Sequence, residues 1–303
     1  MPNWNDLFDE IKEAGSQFDI IRRKYLSKLF AHTGRNIIVY HSGWLQKSTL
    51  PPHQRFAFEI NDSDKNGFMT CIHKLDRSKG LDLLLHTPGG SMAATESLVT
   101  YLRAMFGTDI RAIIPQIAMS GGTMIACACK EIVMGKQSSL GPIDPQMFGF
   151  PAQGIVEEFD RAREEIRLLP AMGNFWVPIL QKYTPAMYQE CQNAIQWAKQ
   201  MVKEWLINGM FAGEADADQK ADEVLTKLRD QALTLSHNRH INIERAIDAR
   251  LKVVALETDK QFQDLVLTVH YACLQTVAAT PAMKIIENHL GTAFIISGQI
   301  SSP

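Results

Sequence analysis

The chain has no Cys-x-x-Cys pair, little net charge and no clean run of about twenty apolar residues. Its five cysteines (Cys71, Cys127, Cys129, Cys191, Cys273) form an odd set without paired spacing. That suits reduced, buried thiols in a reducing compartment better than a disulfide framework. A formal net charge of −2 leaves no electrostatic footprint for nucleic acid or an anionic membrane. Two segments approach membrane-like hydrophobicity. Ala112 to Cys129 is broken by Gln116, Ser120 and a glycine pair; Phe262 to Met283 is broken by Gln263, Asp264, His270, Gln275 and Pro281. Neither reads as a membrane span. Trp4 to Glu13 carries Asp6, Asp9, Glu10 and Glu13 where a secretory signal would be basic and then apolar. The expectation is a soluble, cytoplasmic protein with no nucleic-acid partner.

What is present is an ordinary globular composition, 46% hydrophobic and 21% charged over 303 residues, ample for a buried core. Leu7, Ile11, Phe18, Ile21, Tyr25, Leu26, Leu29 and Phe30 recur at helical steps, predicting one amphipathic helix from residue 4 to about 31, closed by Gly34. This helix packs on its own domain or serves as an arm on a neighbouring subunit. Residues 1–34 are therefore taken as a helical arm and 35–303 as the main domain. Strands are predicted at Asn36 to His41, Leu81 to Leu85, Ala112 to Ile117 and Glu131 to Met134, with terminal strands at Lys284 to Ile286 and Ala293 to Ile296. Helical spacing marks Phe68 to Leu75, Met92 to Met105, Thr123 to Cys129, Ile155 to Leu169, Ala217 to Leu228 and Ile243 to Ala249. A longer helix is predicted from Thr184, as N-cap before Pro185, to Phe211. Asn61 to Gly67 resembles half of a calcium loop but has Ile72 at the twelfth position, so it reads as a turn and helix cap.

Two glycine-rich turns carry the chemistry. Thr87-Pro88-Gly89-Gly90-Ser91 and Ala118-Met119-Ser120-Gly121-Gly122-Thr123 each follow a strand-like run and each open a helix. Tandem strand–turn–helix units bring two helix N-termini, with their unpaired N–H groups, to one edge of a parallel sheet. A serine at one turn and bare glycine amides at the other are the parts needed to attack a carbonyl and hold the resulting oxyanion. Ala118 departs from the G-x-S-x-G elbow, and no Gly-Lys-Ser/Thr follows as in a P-loop. A plain alternative makes Ser120 a helix N-cap and the glycines packing residues.

These turns, together with Ala118 to Lys130, Leu140-Gly141-Pro142-Ile143-Asp144-Pro145-Gln146, Ser236 to Asn242 and Lys284 to His289, resemble the serine dehydrogenase proteinase family. That family is similar to signal peptide peptidase A and, more distantly, to the Clp proteolytic subunit. The resemblance implies an α/β fold of the Clp protease/crotonase kind: a spiral of ββα units, here with a long N-terminal helix and C-terminal helical additions, commonly assembled as a ring-shaped homo-oligomer. It implies Ser120 as nucleophile, the amides of Gly90 and Gly121 as the oxyanion hole, and Gly89 in contact with a peptide or protein substrate.

The base is open. Signal peptide peptidases use a lysine several dozen residues beyond the serine, but this chain has no lysine between Lys136 and Lys182. Arg161, Arg163 and Arg167 fill that gap and cannot deprotonate at usable pH. Lys182 is the candidate base; desolvation would lower its pKa enough to serve. Asp144, where the Clp subunit has a histidine, is the alternative, to orient a base, bind a substrate amine or cap a turn. His237 and His240 would run beside the site by resemblance. His237, His240 and Glu244 lack a further ligand, so neither a metal nor a cofactor is expected. The expected function is a serine endopeptidase of Ser-Lys type working through an acyl-enzyme on Ser120. The alternatives are a catalytically silent ring-forming interaction protein and a crotonase-like acyl-thioester enzyme.

Overall fold

A computed structural model describes residues 18–147, 149–229 and 239–298. The first part of the expected N-terminal helix lies outside the described residues; the remainder is α1 (Phe18–Thr33). After β1 (Asn36–Ser42), α2 (Ser63–Ile72) starts earlier than the apolar spacing from Phe68 suggests. Asn61 Oδ1 accepts from both the Ser63 N–H and hydroxyl and so ties the entry turn. Next come β2 (Leu81–His86) and α3 (Met92–Phe106), the latter capped by Ser91. The single strand expected at Ala112 to Ile117 is two, β3 (Ile110–Ile114) and β4 (Ile117–Ala118). Pro115 between them has no N–H for a ladder, and the chain changes direction there.

Then follow α4 (Gly121–Cys127), β5 (Glu131–Met134), β6 (Ser139–Leu140), β7 (Gln146–Met147) and β8 (Phe150–Pro151). The charged helix is α5 (Ala152–Leu168). The sequence pattern did not reveal α6 (Gly173–Leu180), whose Pro178 argues against a helix. α7 (Met187–Trp205) starts after Ala186, which is left-handed at φ 70°, so Thr184 is not its cap. Its end passes into a π-turn at Leu206–Met210. The chain closes with α8 (Ala217–Arg229), α9 (Ile243–Asp248), β9 (Val253–Ala255), α10 (Lys260–Ala279), β10 (Ala282–Asn288) and β11 (Ala293–Ser297). Among the described residues no helix is long and apolar enough to cross a membrane.

The main sheet has the order β11-β10-β1-β2-β3-β5-β9. β1, β2, β3, β5 and β9 are parallel, and β10 joins β1 and β11 antiparallel. Side-chain alternation divides the core. Ile37, Val39, Leu84, Ile113, Val133 and Ile285 meet Leu26 and Leu29 of α1 and Phe262, Val266 and Val269 of α10. Ile38, Leu83, Leu85, Ala112 and Ile132 face the opposite way, onto α2, α3, α4 and the later helices.

A second, short ladder crosses the end of this sheet. Ile60 pairs with Gly90, Thr87 with Ala118, Ile117 with Ser139, Ala118 with Leu140, and Leu140 with Ile241. Leaving β1, β2 or β3, the chain touches this ladder for one or two residues and then enters a helix, giving the ββα repetition. The unit through Ile60 was not visible in the sequence pattern.

At the carboxyl ends of β1 and β2 lie His41 and His86, paired in register and stacked at 4.6 Å between ring centroids. His270 of α10 closes a triangle at 4.9 Å from His86 and 5.3 Å from His41. All three are buried, and neither ring nitrogen of His41 or His86 has a hydrogen-bond partner of good geometry. Only His270 Nε2 finds one, Gln116 Oε1 at 3.2 Å. Burial pushes the His270 imidazole down to about 3. Burial and the neighbouring rings hold His86 well below the usual range, and His41 shares both causes with a push from Arg22. The unfolded chain therefore takes up protons below about pH 6.5 that the fold refuses. Stability should be complete above that value and fall as pH drops, by up to about 1.4 kcal/mol per unit for each histidine. Circular dichroism melts from about pH 7.5 to about pH 5 test this; a flat Tm across the range would contradict it.

Candidate active site

The Ser120 turn is set by backbone pairing on one side and a buried threonine on the other. Thr87 N–H donates to Ile117 O (3.1 Å) and Met119 N–H donates to Thr87 O (3.0 Å), which places the end of β4 beside the end of β2. Thr123 Oγ1 donates to Ala118 O (2.9 Å) and accepts from Gly141 N–H (2.9 Å), tying the start of α4 to the segment after β6. Gly122 N–H closes the turn on Met119 O at 2.8 Å. Between these fixed points Ser120 adopts φ 48° and ψ −113°. L-residues rarely adopt this region, and holding one there costs about 1–3 kcal/mol. The serine side chain makes no capping bond, and its hydroxyl has no hydrogen-bond partner among the described residues. The plain alternative of a helix N-cap therefore does not describe it.

The second turn is held by Ile60. Its N–H donates to Gly89 O (2.7 Å) and its carbonyl accepts from Ser91 N–H (2.8 Å). In such a parallel bridge the flanking residues make the bonds, so Gly90's own N–H faces away from Ile60. Gly90 has φ 153°, and a Cβ there would lie 2.3 Å from Ile60 N and 2.5 Å from Ile60 O. Only glycine permits that approach. The two turns touch: a Cβ on Gly89 would meet the Ser120 Cβ at 2.8 Å, and one on Gly121 would be 3.6 Å from Gly90 N. Neither the Gly90 nor the Gly121 N–H donates to a backbone carbonyl among the described residues.

Both turns open into a cavity of about 510 Å³. Gly89, Gly90, Ser120 and Gly121 line it together, beside Met92, Met124, Met147 and Ala194. A hydroxyl next to two unused N–H groups in a concave, largely apolar site has the composition for attack on a carbonyl with anion stabilisation.

The candidate bases are elsewhere. Lys182 is exposed between α6 and α7 and does not line the cavity. Asp144 is buried, accepts from Gln146 Nε2 at 3.1 Å, and leaves the lining to Pro145 and Gln146. His240 is exposed and outside the lining; His237 lies outside the described residues. Among the described residues no lysine or histidine lines the cavity, and Glu59 is its one carboxylate. Glu59 and Ile60 carry no recognisable signal in the sequence. A glycine pair signals a close backbone neighbour, but nothing in the chain says which one.

The model of the ClpP-like SDH-type serine proteinase family matches residues 17–264. An uncharacterized protein of Methanocaldococcus jannaschii is 30% identical over 203 residues, 65% of this chain and 62% of that protein. A second uncharacterized protein of the same organism is 37% identical over 102 residues, 34% of this chain and 35% of that protein. The matched stretches thus span less than two thirds of either relative.

The strained serine makes a stability prediction that needs no substrate. Ser120→Gly and Ser120→Ala both remove the hydroxyl, but only glycine relieves the backbone. After allowing about 0.5–1 kcal/mol for glycine's extra chain entropy, the glycine variant should be the more stable by about 1 kcal/mol. Urea unfolding measures the difference; a glycine variant less stable than the alanine variant by about 0.5–1 kcal/mol would mean Ser120 is unstrained.

Proposed function

The chain belongs to the ClpP-like SDH-type serine proteinase family, and from that premise we propose that it is a serine endopeptidase cutting peptides or unfolded protein segments through an acyl-enzyme on Ser120. The observation that carries this is a positive-φ serine whose hydroxyl has no partner among the described residues, packed against two glycines whose amides no described backbone carbonyl uses.

In the proposed reaction the Ser120 Oγ attacks the scissile carbonyl carbon while a base takes its proton. The N–H groups of Gly90 and Gly121 form the oxyanion hole for the charged oxygen, and Gly89 meets the substrate backbone. The same base returns the proton to the departing amine, and water then cleaves the ester by the reverse route. Such donors are worth about a hundredfold or more in rate each.

We assign the base to Lys182 of a neighbouring copy in a homo-oligomer, with Asp144 as the alternative. Lys182 follows a surface rich in exposed apolar groups: Leu168 and Leu169 at the end of α5, Phe175 and Val177 on α6. Apolar exposure on that scale marks a surface that associates. Docked on a second copy, it would carry Lys182 out of water, where a lysine loses its proton more readily. Five buried free thiols suit a reducing, cytoplasmic setting. The absence of a lysine or histidine from the cavity lining among the described residues also favours one rival, a silent protein that binds a partner in the same groove.

A fluorophosphonate probe should label wild type at Ser120, and Ser120→Ala should lose both labelling and peptide hydrolysis. An unlabelled, folded wild type would leave the silent protein as the better account. Lys182→Ala should lower kcat by orders of magnitude, and mixing it with Ser120→Ala should restore turnover, because a wild-type Ser120 then meets a wild-type Lys182 across the interface. Activity of Lys182→Ala near wild type would remove Lys182 from the mechanism.

A further inference from the structure

Behind the Gly89–Gly90 turn lies a buried polar cluster that the proposed reaction does not use. Lys284 of β10 is fully buried, and its Nζ donates to Glu59 O and to Asp64 Oδ1, both at 2.7 Å. Asp64 is buried as well; its Oδ2 accepts from the Tyr40 hydroxyl at 2.7 Å and from Asn61 N–H at 3.1 Å. The cation holds the residue before Ile60, and the carboxylate holds the residue after it. Ile60 is thereby clamped at both ends. Its own N–H and carbonyl are the groups that bind Gly89 O and Ser91 N–H. Thr87, at the start of the same turn, lies against the Tyr40 hydroxyl.

We infer that Lys284 and Asp64 are positioning residues, setting the Gly90 N–H in the cavity by fixing the backbone of Glu59, Ile60 and Asn61. A buried ion pair is weak evidence for stability, because a well-packed apolar pair of similar volume often does as well. A lysine whose Nζ spends one of its bonds on a main-chain carbonyl serves a geometric end, since an apolar side chain there would leave Glu59 O with only the exposed Asn61 Nδ2, at 3.1 Å, as donor. The leverage is short. Ile60 N and O would sit within 2.5 Å of any Cβ on Gly90, so a small shift of Ile60 must move Gly90. Ile60 Cδ1 also lies 3.2 Å from where a Cβ on Gly121 would be, so the clamped residue borders both glycines.

The effect on rate rests on the peptidase proposal; the effect on the turn does not, and the test separates them. Lys284→Met and Lys284→Arg are compared with wild type, each shown folded by its thermal melt, by hydrogen exchange of fragments covering 59–63 and 87–92 and by kinetics on a fluorogenic peptide. In Lys284→Met, exchange in both fragments should quicken about tenfold or more while the central strands keep their protection. Its kcat should fall about tenfold to a hundredfold with KM within about threefold, as expected when an oxyanion donor is displaced rather than deleted. Lys284→Arg, which keeps a donor on Glu59 O, should recover much of both. If Lys284→Met does not fold, Asp64→Asn, which removes the charge that holds Lys284 and keeps an acceptor for Asn61, is measured in its place. Exchange unchanged in those fragments overturns the inference, whatever the activity. Faster exchange in an enzyme whose wild type neither labels nor turns over would sink the peptidase proposal and leave the clamp standing.

Discussion

The site depends on main chain packed directly against main chain at Ile60 and Gly90. No side chain makes that contact, so no side chain can restore it. Two hydrogen bonds from one residue fix the turn from Gly89 to Ser91 and leave the Gly90 N–H without a backbone acceptor among the described residues. From that contact the rest follows. The Gly89 backbone lies against Ser120, Gly121 must be a glycine because Thr95 Oγ1 would stand 2.7 Å from its Cβ, and Gly122 because Thr87 Cγ2 would stand at 2.5 Å. The glycines Gly89, Gly90 and Gly121 are therefore tightly packed and line the cavity at once.

The sheet separates strength from chemistry by strand polarity. At the amino ends of β2 and β3, buried Asp82 accepts from Arg35 Nε at 2.7 Å and from Arg111 Nε and Nη2 at 2.7 and 2.6 Å. Asp109 joins it through Arg35 and Lys130, and the two cations hold its carboxyl down at about 2 against the opposing pull of burial. These groups bind strands to one another. The carboxyl ends carry His41, His86 and the two turns, with unused nitrogens and unused amides. Open parallel sheets bind ligands at their carboxyl ends, where the chain leaves the ladder and its groups are free.

Much of this was legible in the chain. Continuous apolar runs gave β1, β2 and β5, and a glycine turn before helical spacing gave α3 and α4, because both signals are local. Three things were not local. Pro115 splits one apolar run between two ladders, and only the second ladder's partners, Thr87 and Ser139, show where β4 belongs. Ala186 in a left-handed conformation moves the start of α7 past a Thr-Pro pair that has good N-cap chemistry on its own. Ile60 and Glu59 sit in an unremarkable stretch, and their importance comes from Lys284, more than two hundred residues later in the chain. The Ser120 turn was readable because its serine and glycines are contiguous in the sequence; the clamp was not, because its parts meet only in space.

The same separation bears on the lysine or histidine that the described cavity lining lacks. A nucleophile turn built from contiguous residues can be complete within one chain, whereas a proton acceptor must approach from across the cavity and has no backbone reason to be near. Desolvating a lysine is costly when it stands alone and less so when a large apolar surface is buried in the same event. Lys182 sits beside such a surface, on α6 and the end of α5, and not on any element that packs against the Ser120 turn. An acceptor assembled by association would leave the single chain with a strained serine open to the cavity and without that acceptor. Activity would then depend on protein concentration in a way that a base within the chain would not, and the strain at Ser120 would be a cost the fold bears before it gains any chemistry.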